Sequence, residues 1–342
     1  MAMRMGRAGD SAAPVTAPTP LSVPTTSQTA AIVGAQPVPH RPIPGTESTV
    51  FPLAVSGKPF GSAVPESSAH IILDVFTALG GNMVDTADSY GDGRSEEIIG
   101  AWMRSRRRRD DLVIATKVGR SRAHPGLSAS AIAAAVDASL TRLGTDRIDV
   151  LYLHLDDDSV PFEETLLAVD DLIRAGKVRA FGMSDHTGNR LVAARIACAL
   201  LGVAPMSALQ NEYSLMHREY EGELARVAAQ QGLGVMPRFP LAGGYLTGAY
   251  RTRASVVGSP VAEYVTPYLG RRGRRVLNVV DRVAGALGES QAAVSLAWLL
   301  SKPGVVAPVV AVSSPEQLLD VMSAPNVRFS RHHLAELDRS GD

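Results

Sequence analysis

Cysteine is almost missing from this chain. Cys198 stands alone, which excludes an intramolecular disulfide and a cysteine-cluster zinc site, and nothing here demands an oxidising compartment. Charge surplus is missing too. Lysine plus arginine number 34 and aspartate plus glutamate number 34. A dedicated nucleic-acid binder carries a basic excess to neutralise phosphates, so that class is excluded as a partner. No apolar run reaches the ~18 residues of a membrane-spanning helix. Met1–Arg7 carries positive charge, but no apolar stretch of about 7–15 residues follows it as a secretion signal requires. A cytoplasmic protein without a membrane partner is expected. Lysine itself is scarce: Lys58, Lys117, Lys177 and Lys302 are the only four, and all other basic residues are arginine. A compact ammonium does work that a wide guanidinium fork does not, so each retained lysine attracts notice. What remains, 45% hydrophobic and 20% charged residues in 342, is a globular composition.

Eight of the 22 prolines fall before residue 46, among alanine, threonine and serine. That density removes amide donors and leaves no periodic apolar face, so residues 1–47 read as an extended or disordered tail and 48–342 as one catalytic domain. Within that domain short β-branched runs alternate with amphipathic helical patterns. Strands are predicted at 50–56, 82–87, 111–117, 148–155, 178–184, 206–211, 233–239 and 306–312. Their lack of apolar/polar alternation suits a parallel sheet covered on both faces. Helices are predicted at 66–79, 94–106, 128–143, 163–175, 187–201, 217–231, 270–287, 290–301 and 315–323. Ser128 and Ser314-Pro315 mark starts; Gly80, Gly144, Gly176, Gly202 and Gly232 mark stops. Eight strand–helix units point to an α/β fold of the (β/α)8 TIM-barrel type, against an open doubly wound sheet as the competing architecture. Residues 242–268 exceed an ordinary connection and are a candidate substrate or cofactor loop.

Active sites of such barrels form where the strands end. The second strand ends at Asp85, with Tyr90 in the loop after it; the third ends at Lys117 and the fourth at His154. Singly, each has a plain structural reading: Asp85 a rim or capping aspartate, Lys117 a snorkelling lysine, Tyr90 a loop anchor, His154 a hydrogen-bonded core histidine. Together they suit protonation of a carbonyl oxygen. A ketone or aldehyde that accepts a hydride develops alkoxide charge, and a positioned acid must supply the proton. A nearby ammonium lowers the pKa of a phenol, a carboxylate keeps that ammonium in place, and an imidazole orients the carbonyl. The protein carries no hydride of its own, so a nicotinamide is required.

The stretch Gly80-Gly81-Asn82-Met83-Val84-Asp85-Thr86-Ala87-Asp88-Ser89-Tyr90-Gly91-Asp92-Gly93-Arg94-Ser95-Glu96-Glu97 closely resembles the aldo-keto reductase signature. So do Ile114-Ala115-Thr116-Lys117, Ile148-Asp149-Val150-Leu151-Tyr152-Leu153-His154, Ala175-Gly176-Lys177-Val178-Arg179 with Gly182-Met183-Ser184, and Pro240-Leu241-Ala242-Gly243-Gly244-Tyr245-Leu246-Thr247-Gly248. The likeness runs in order over roughly residues 48–340. It implies a (β/α)8 fold and NADPH-dependent reduction of a small carbonyl substrate, with NADH not excluded. It makes Tyr90 the general acid, tuned by Lys117 and Asp85, with His154 orienting the substrate. The cofactor-binding positions it implies are Gly57, Lys58, Ser184, Asp185, Gln210, Arg238, Phe239, Leu241, Gly243, Ser313 and Gln317. Among them, Ser184 and Gln210 match holders of the nicotinamide carboxamide, 240–248 the loop over the pyrophosphate, and Ser313, Ser314 and Gln317 the grip on the adenosine 2′-phosphate.

The chain departs from the family pattern in three places. Asp185 replaces an asparagine, and a carboxylate accepts but cannot donate. Arg238, followed by Phe239, stands where many relatives place an aromatic ring; its positive charge beside an oxidised nicotinamide predicts weaker NADP+ binding. Ala311 replaces a glycine, Asp320-Val321 a Glu-Asn pair, and no cation stands at Ser313. Arg271, Arg272, Arg274 and Arg275 read as a solvated face, with contact to the 2′-phosphate as the alternative. Gly91-Asp92-Gly93 lacks the third glycine of a dinucleotide fingerprint. Asp156-Asp157-Asp158 point in different directions and read as a loop, so no metal is expected. Two other functions stay open beside the reductase: a cofactor-binding regulatory subunit of the channel β-subunit type, and a nucleotide-sugar ketoreductase of deoxysugar assembly.

Overall fold

A computed structural model of the chain describes residues 38–259 and 261–341. The described part opens with a hairpin in which β1 (Arg41–Pro42) runs antiparallel to β2 (Thr49–Val50). Eight parallel strands follow: β3 Ala54–Ser56, β4 Met83–Asp85, β5 Val113–Val118, β6 Ile148–Leu153, β7 Val178–Ser184, β8 Ala208–Gln210, β9 Gly234–Val235 and β10 Val309–Val310. They pair in the order β10-β3-β4-β5-β6-β7-β8-β9. The ring closes through Val306 N to Val235 O at 2.8 Å and Val309 N to Pro237 O at 2.8 Å. This is the expected (β/α)8 barrel.

The helices are α1 Glu66–Ala78, α2 Arg94–Arg106, α3 Ala129–Leu143, α4 Phe162–Arg174, α5 Gly188–Leu201, α6 Glu223–Gln230, α7 Ala262–Val265, α8 Arg271–Leu287, α9 Gln291–Leu300, α10 Pro315–Met322 and α11 Arg331–Ser340. Their ends follow the local chemistry. Ser128 caps α3 by accepting from Ala131 N, and Ser314 caps α10 by accepting from Gln317 N ahead of Pro315. α3 and α5 stop at Gly144 and Gly202, both in the left-handed region at φ 62° and 66°. None of the described helices alone is long and apolar enough to cross a membrane.

Two-residue periodicity decides what fills the barrel. Met83, Val113, Ala115, Val150, Tyr152 and Ala208 point inward and pack on one another, while Val84, Ile114, Val118, Leu151, Leu153 and Leu209 join the larger core under the helices. Ile43 and Val50 of the hairpin belong to the inner cluster and are fully buried, so the hairpin plugs one end of the barrel. Large meets small inside it: Tyr152 lies opposite Gly182, where a Cβ would stand 2.7 Å from the Tyr152 ring. The same alternation continues inward at the other end with Asp85, Lys117, Ser184 and Gln210, so the inner face changes from apolar to polar within one two-residue repeat.

Four expectations are corrected. The tail read over 1–47 falls outside the described residues up to position 37, but 41–47 belong to the hairpin; Pro42 is tolerated in so short an edge strand. The single strand expected at 50–56 is two, parted around Pro52. The strands expected at 233–239 and 306–312 shrink to two residues each, beside Pro237 and Pro308, which carry no amide donor. The helix expected at 217–231 is a short 3-10 turn, Glu219–Glu221, followed by α6. Beyond these, α7 and α11 were not anticipated.

Candidate active site

Asp85 ends β4 and is fully buried, held where Gly57 N donates to its carbonyl at 2.7 Å. Lys117, also buried, comes from the neighbouring strand β5 and donates from Nζ to Asp85 Oδ1 at 2.5 Å and to Thr86 O at 3.0 Å. The other carboxylate oxygen is taken as well: Gln210 Nε2 donates to Asp85 Oδ2 at 2.8 Å. Tyr90 leaves β4 through a tight turn, Tyr90 N to Ala87 O, followed by Gly91 and Asp92 at φ 59° and 52°. The left-handed pair swings the chain away into α2 and leaves the phenol folded back over the strand ends. Its ring centre lies 5.2 Å from Lys117 Nζ and 6.1 Å from the His154 ring, which it meets edge-on. The four residues singled out at the strand ends thus form one cluster.

Electrostatics divides their proton states. Burial pushes the Tyr90 hydroxyl above an ordinary phenol, Lys117 opposes that, and Asp85 adds to it. The net effect is upward, contrary to the expectation that the ammonium would dominate: the phenol at rest keeps its proton. Burial alone would discharge Lys117, but Asp85 and Tyr90 outweigh it and hold the ammonium charged. His154 is pushed down to about 3, by burial first and then by Lys117, Arg120, Arg238 and Lys58. It is therefore a neutral imidazole across the physiological range, and its Nδ1 is buried without a partner. A protonated phenol beside a fixed ammonium, facing a neutral imidazole, can donate one proton to an oxygen and stabilise the phenolate left behind.

A second group lies on the same rim. Asp185 follows β7 with φ 60° and takes Asn211 Oδ1 on its amide at 3.0 Å. Arg238 donates from Nε to Asp185 Oδ1 at 2.8 Å and lies 3.5 Å from Glu212 Oε2. Two carboxylates thus neutralise Arg238, which removes the electrostatic ground for weak NADP+ binding. Phe239, at φ 49°, stacks on Tyr264 of α7 at 5.4 Å, and Lys58 Nζ sits over both rings at 4.8 and 5.2 Å. Residues 242–259 and 261–268 accordingly form a strap that reaches Phe239 and Lys58 of the β3 loop. Gly243, at φ 66°, lets it pass: a Cβ there would stand 2.6 Å from Tyr264 Cβ. Leu241 is buried at its root.

Ser184 ends β7 with its Oγ buried and unpartnered beside Gln210, its register partner. Ser313 and Gln317 lie apart from the tetrad, at the start of α10, where Ser313 N donates to Gln317 Oε1 at 2.8 Å. Gly57 is close-packed, since a Cβ would approach Ser95 Oγ to 2.4 Å. Sequence reasoning overlooked Tyr152, Glu212, Tyr264 and Arg120. Tyr152 carried a signal, being two residues before His154 and thus on the same inner face. Tyr264 carried none, because the groups it packs on, Gly243, Phe239 and Lys58, are distant in sequence.

The model for the family described as "Aldo/keto reductase family" matches residues 55–342. The chain belongs to the aldo/keto reductase family. It is 32% identical over 293 residues to the uncharacterized oxidoreductase YrpG of Bacillus subtilis (strain 168), covering 82% of this chain and 88% of that one. To norsolorinic acid reductase B of Aspergillus parasiticus it is 29% identical over 319 residues, 87% and 82% of the two chains. To a probable voltage-gated potassium channel subunit beta of Oryza sativa subsp. japonica it is 31% identical over 278 residues, 78% and 85%. As an aldo/keto reductase, the chain is an oxidoreductase of small carbonyl compounds.

Proposed function

We propose that this chain reduces an aldehyde or ketone to the alcohol with NADPH, Tyr90 giving the proton. The observation that carries the reading is the buried line Gln210–Asp85–Lys117, ending beside the phenol. Gln210 and Lys117 occupy both Asp85 oxygens, so the carboxylate is fixed and the ammonium cannot swing away. Lys117 then compensates the charge Tyr90 acquires when its proton leaves, and neutral His154 offers its ring to the same oxygen. The residues present fit a nicotinamide: Ser184 Oγ is a buried polar atom in want of a partner beside the tetrad, and Gly243 lets the strap lie close against Tyr264. Ser184 and Gln210 would hold the carboxamide, with Asp185 able to accept from its NH2, and Lys58 and the strap would hold the phosphates. When bound, the dihydronicotinamide supplies the hydride. The choice of NADPH over NADH rests on the likeness of Ser313–Gln317 to the family's 2′-phosphate segment.

The test is oxidation of NADPH and of NADH, followed by absorbance, across aldehydes, ketones and sugar ketones. Turnover on a carbonyl, faster with NADPH, is expected. Tight NADPH binding with no turnover on any carbonyl would instead favour the regulatory-subunit reading, which the similarity to a channel β-subunit keeps in view.

A further inference from the structure

Of the cations that bear on His154, most are already engaged. Lys117 is bonded to Asp85, Arg238 to Asp185 and Glu212, and Lys58 lies against the Phe239 and Tyr264 rings. Arg120 differs. It is the third residue after Lys117, on the loop between β5 and α3, and is exposed. Its Nε donates to the backbone carbonyl of His154 at 2.8 Å, which fixes the guanidinium at the lip beside the imidazole. Among the described residues, its two terminal nitrogens meet no acceptor. The loop around it, Gly119–Gly126, carries Arg120, Arg122 and His124 and no acid. The nearby aspartates are spoken for or turned elsewhere: Asp156 binds Arg190 at 2.7 Å, and Asp157 accepts from Leu127 N and from Ser159. Asp158 is exposed.

We infer that Arg120 is a specificity-determining residue that receives a carboxylate on the substrate, so that the preferred substrates are carbonyl compounds bearing an acid group a few bonds from the reacting carbon. This rests on the carbonyl-reductase reading above. Anchored at Nε, the guanidinium presents its remaining N–H groups as a preformed fork, which suits the two oxygens of a carboxylate. With Lys117 paired to Asp85 and Arg238 to Asp185 and Glu212, Arg120 and Lys58 are the cations bearing on His154 that have no bonded carboxylate among the described residues, so an anion entering here is drawn toward them.

Matched pairs test this. The kcat/KM values for 4-oxobutanoate and 3- and 4-formylbenzoate are compared with those for their methyl esters, in wild type, Arg120→Gln and Arg120→Lys, with NADPH dissociation constants measured alongside. Wild type is expected to favour at least one acid over its ester by severalfold, up to about tenfold (~1.4 kcal/mol). That ratio should fall toward unity in Arg120→Gln, recover in part in Arg120→Lys, and shrink with added salt. Equal handling of every acid and its ester by wild type would overturn the inference, as would an undiminished ratio in Arg120→Gln. So would a weakened NADPH affinity with the ratio intact, which would assign Arg120 to the cofactor. Failure to reduce any acid or ester is a different result, and counts against carbonyl reduction itself.

Discussion

Tyr90 sits between two fields: burial and Asp85 hold its proton on, and Lys117 eases it off. His154 is simpler. With a pKa near 3 in the fold and about 6.5 in a free chain, it stays neutral from pH 5 to 8. The pH profile of kcat/KM on a neutral aldehyde should therefore show no imidazole limb in that window; a limb near 6.5 that vanishes in His154→Gln would contradict the assignment. The sign for stability follows. The unfolded chain binds a proton at His154 that the folded one refuses, so this residue costs stability as pH falls from about 6.5 toward 3. Asp88 works the other way. It is 2% exposed, its two oxygens make no hydrogen bond of normal geometry, and burial and Glu96 push it up to about 7 against the Gly119 and Ser89 amides and Arg142. The folded state thus keeps a proton that the unfolded state releases near 4, and stability falls as pH rises from about 4 to 7, by ~4 kcal/mol at most. Asp88→Asn should raise the melting temperature more at pH 8 than at pH 5. An equal change at both would show that Asp88 is ionised in the fold.

At the scale of elements, the strap depends on close backbone approach. In α8, Gly273 lies so near the turn Thr266–Tyr268 that a Cβ would stand 1.8 Å from Tyr268 O. Gly273→Ala must push that turn, and with it Tyr264, away from Phe239. NADPH affinity is expected to fall by about tenfold while far-ultraviolet circular dichroism stays unchanged; unchanged affinity would show that the strap does not hold the cofactor. No sequence signal located this contact, because it joins a helical glycine to the backbone of the turn just before it and involves no distinctive side chain. The strand ends were legible for the opposite reason. Asp85, Lys117 and His154 each close a β-branched run, and strand periodicity alone turns such residues inward. Prolines misled in both directions. Pro39, Pro42 and Pro44 made the hairpin look like tail, while Pro52, Pro237 and Pro308 cut strands that the hydrophobic pattern ran through. α11 was missed although Ser330 caps it on His333 N, since Leu334 and Leu337 give it too thin an apolar face.

For the whole molecule, the barrel is a container with a dry floor and a charged mouth. Ile43 and Val50 close the floor, inner layers of Met83, Val113, Val150 and Tyr152 fill it, and Asp85, Lys117 and Gln210 top it. Charge at the mouth is tolerable because Lys117, Asp85 and Gln210 partner one another, whereas the cluster around Ile43 and Val50 is wholly apolar among the described residues. Ile43→Asp would place an unpaired carboxylate at a fully buried position and should destabilise the protein by about 3–5 kcal/mol, read from urea unfolding. A loss under 1 kcal/mol would mean that the hairpin is not seated in the barrel. That floor matters for catalysis, since water entering from below would screen the Lys117–Asp85 pair.

The account stands most directly on the hydroxyl of Tyr90. Single-turnover reduction of an aldehyde by NADPH-loaded Tyr90→Phe, with the NADPH dissociation constant measured on the same preparation, isolates that one oxygen. Cofactor affinity within about twofold of wild type and a rate lower by about 10²–10⁴ are predicted. Reduction at the wild-type rate by the phenylalanine variant would contradict the account.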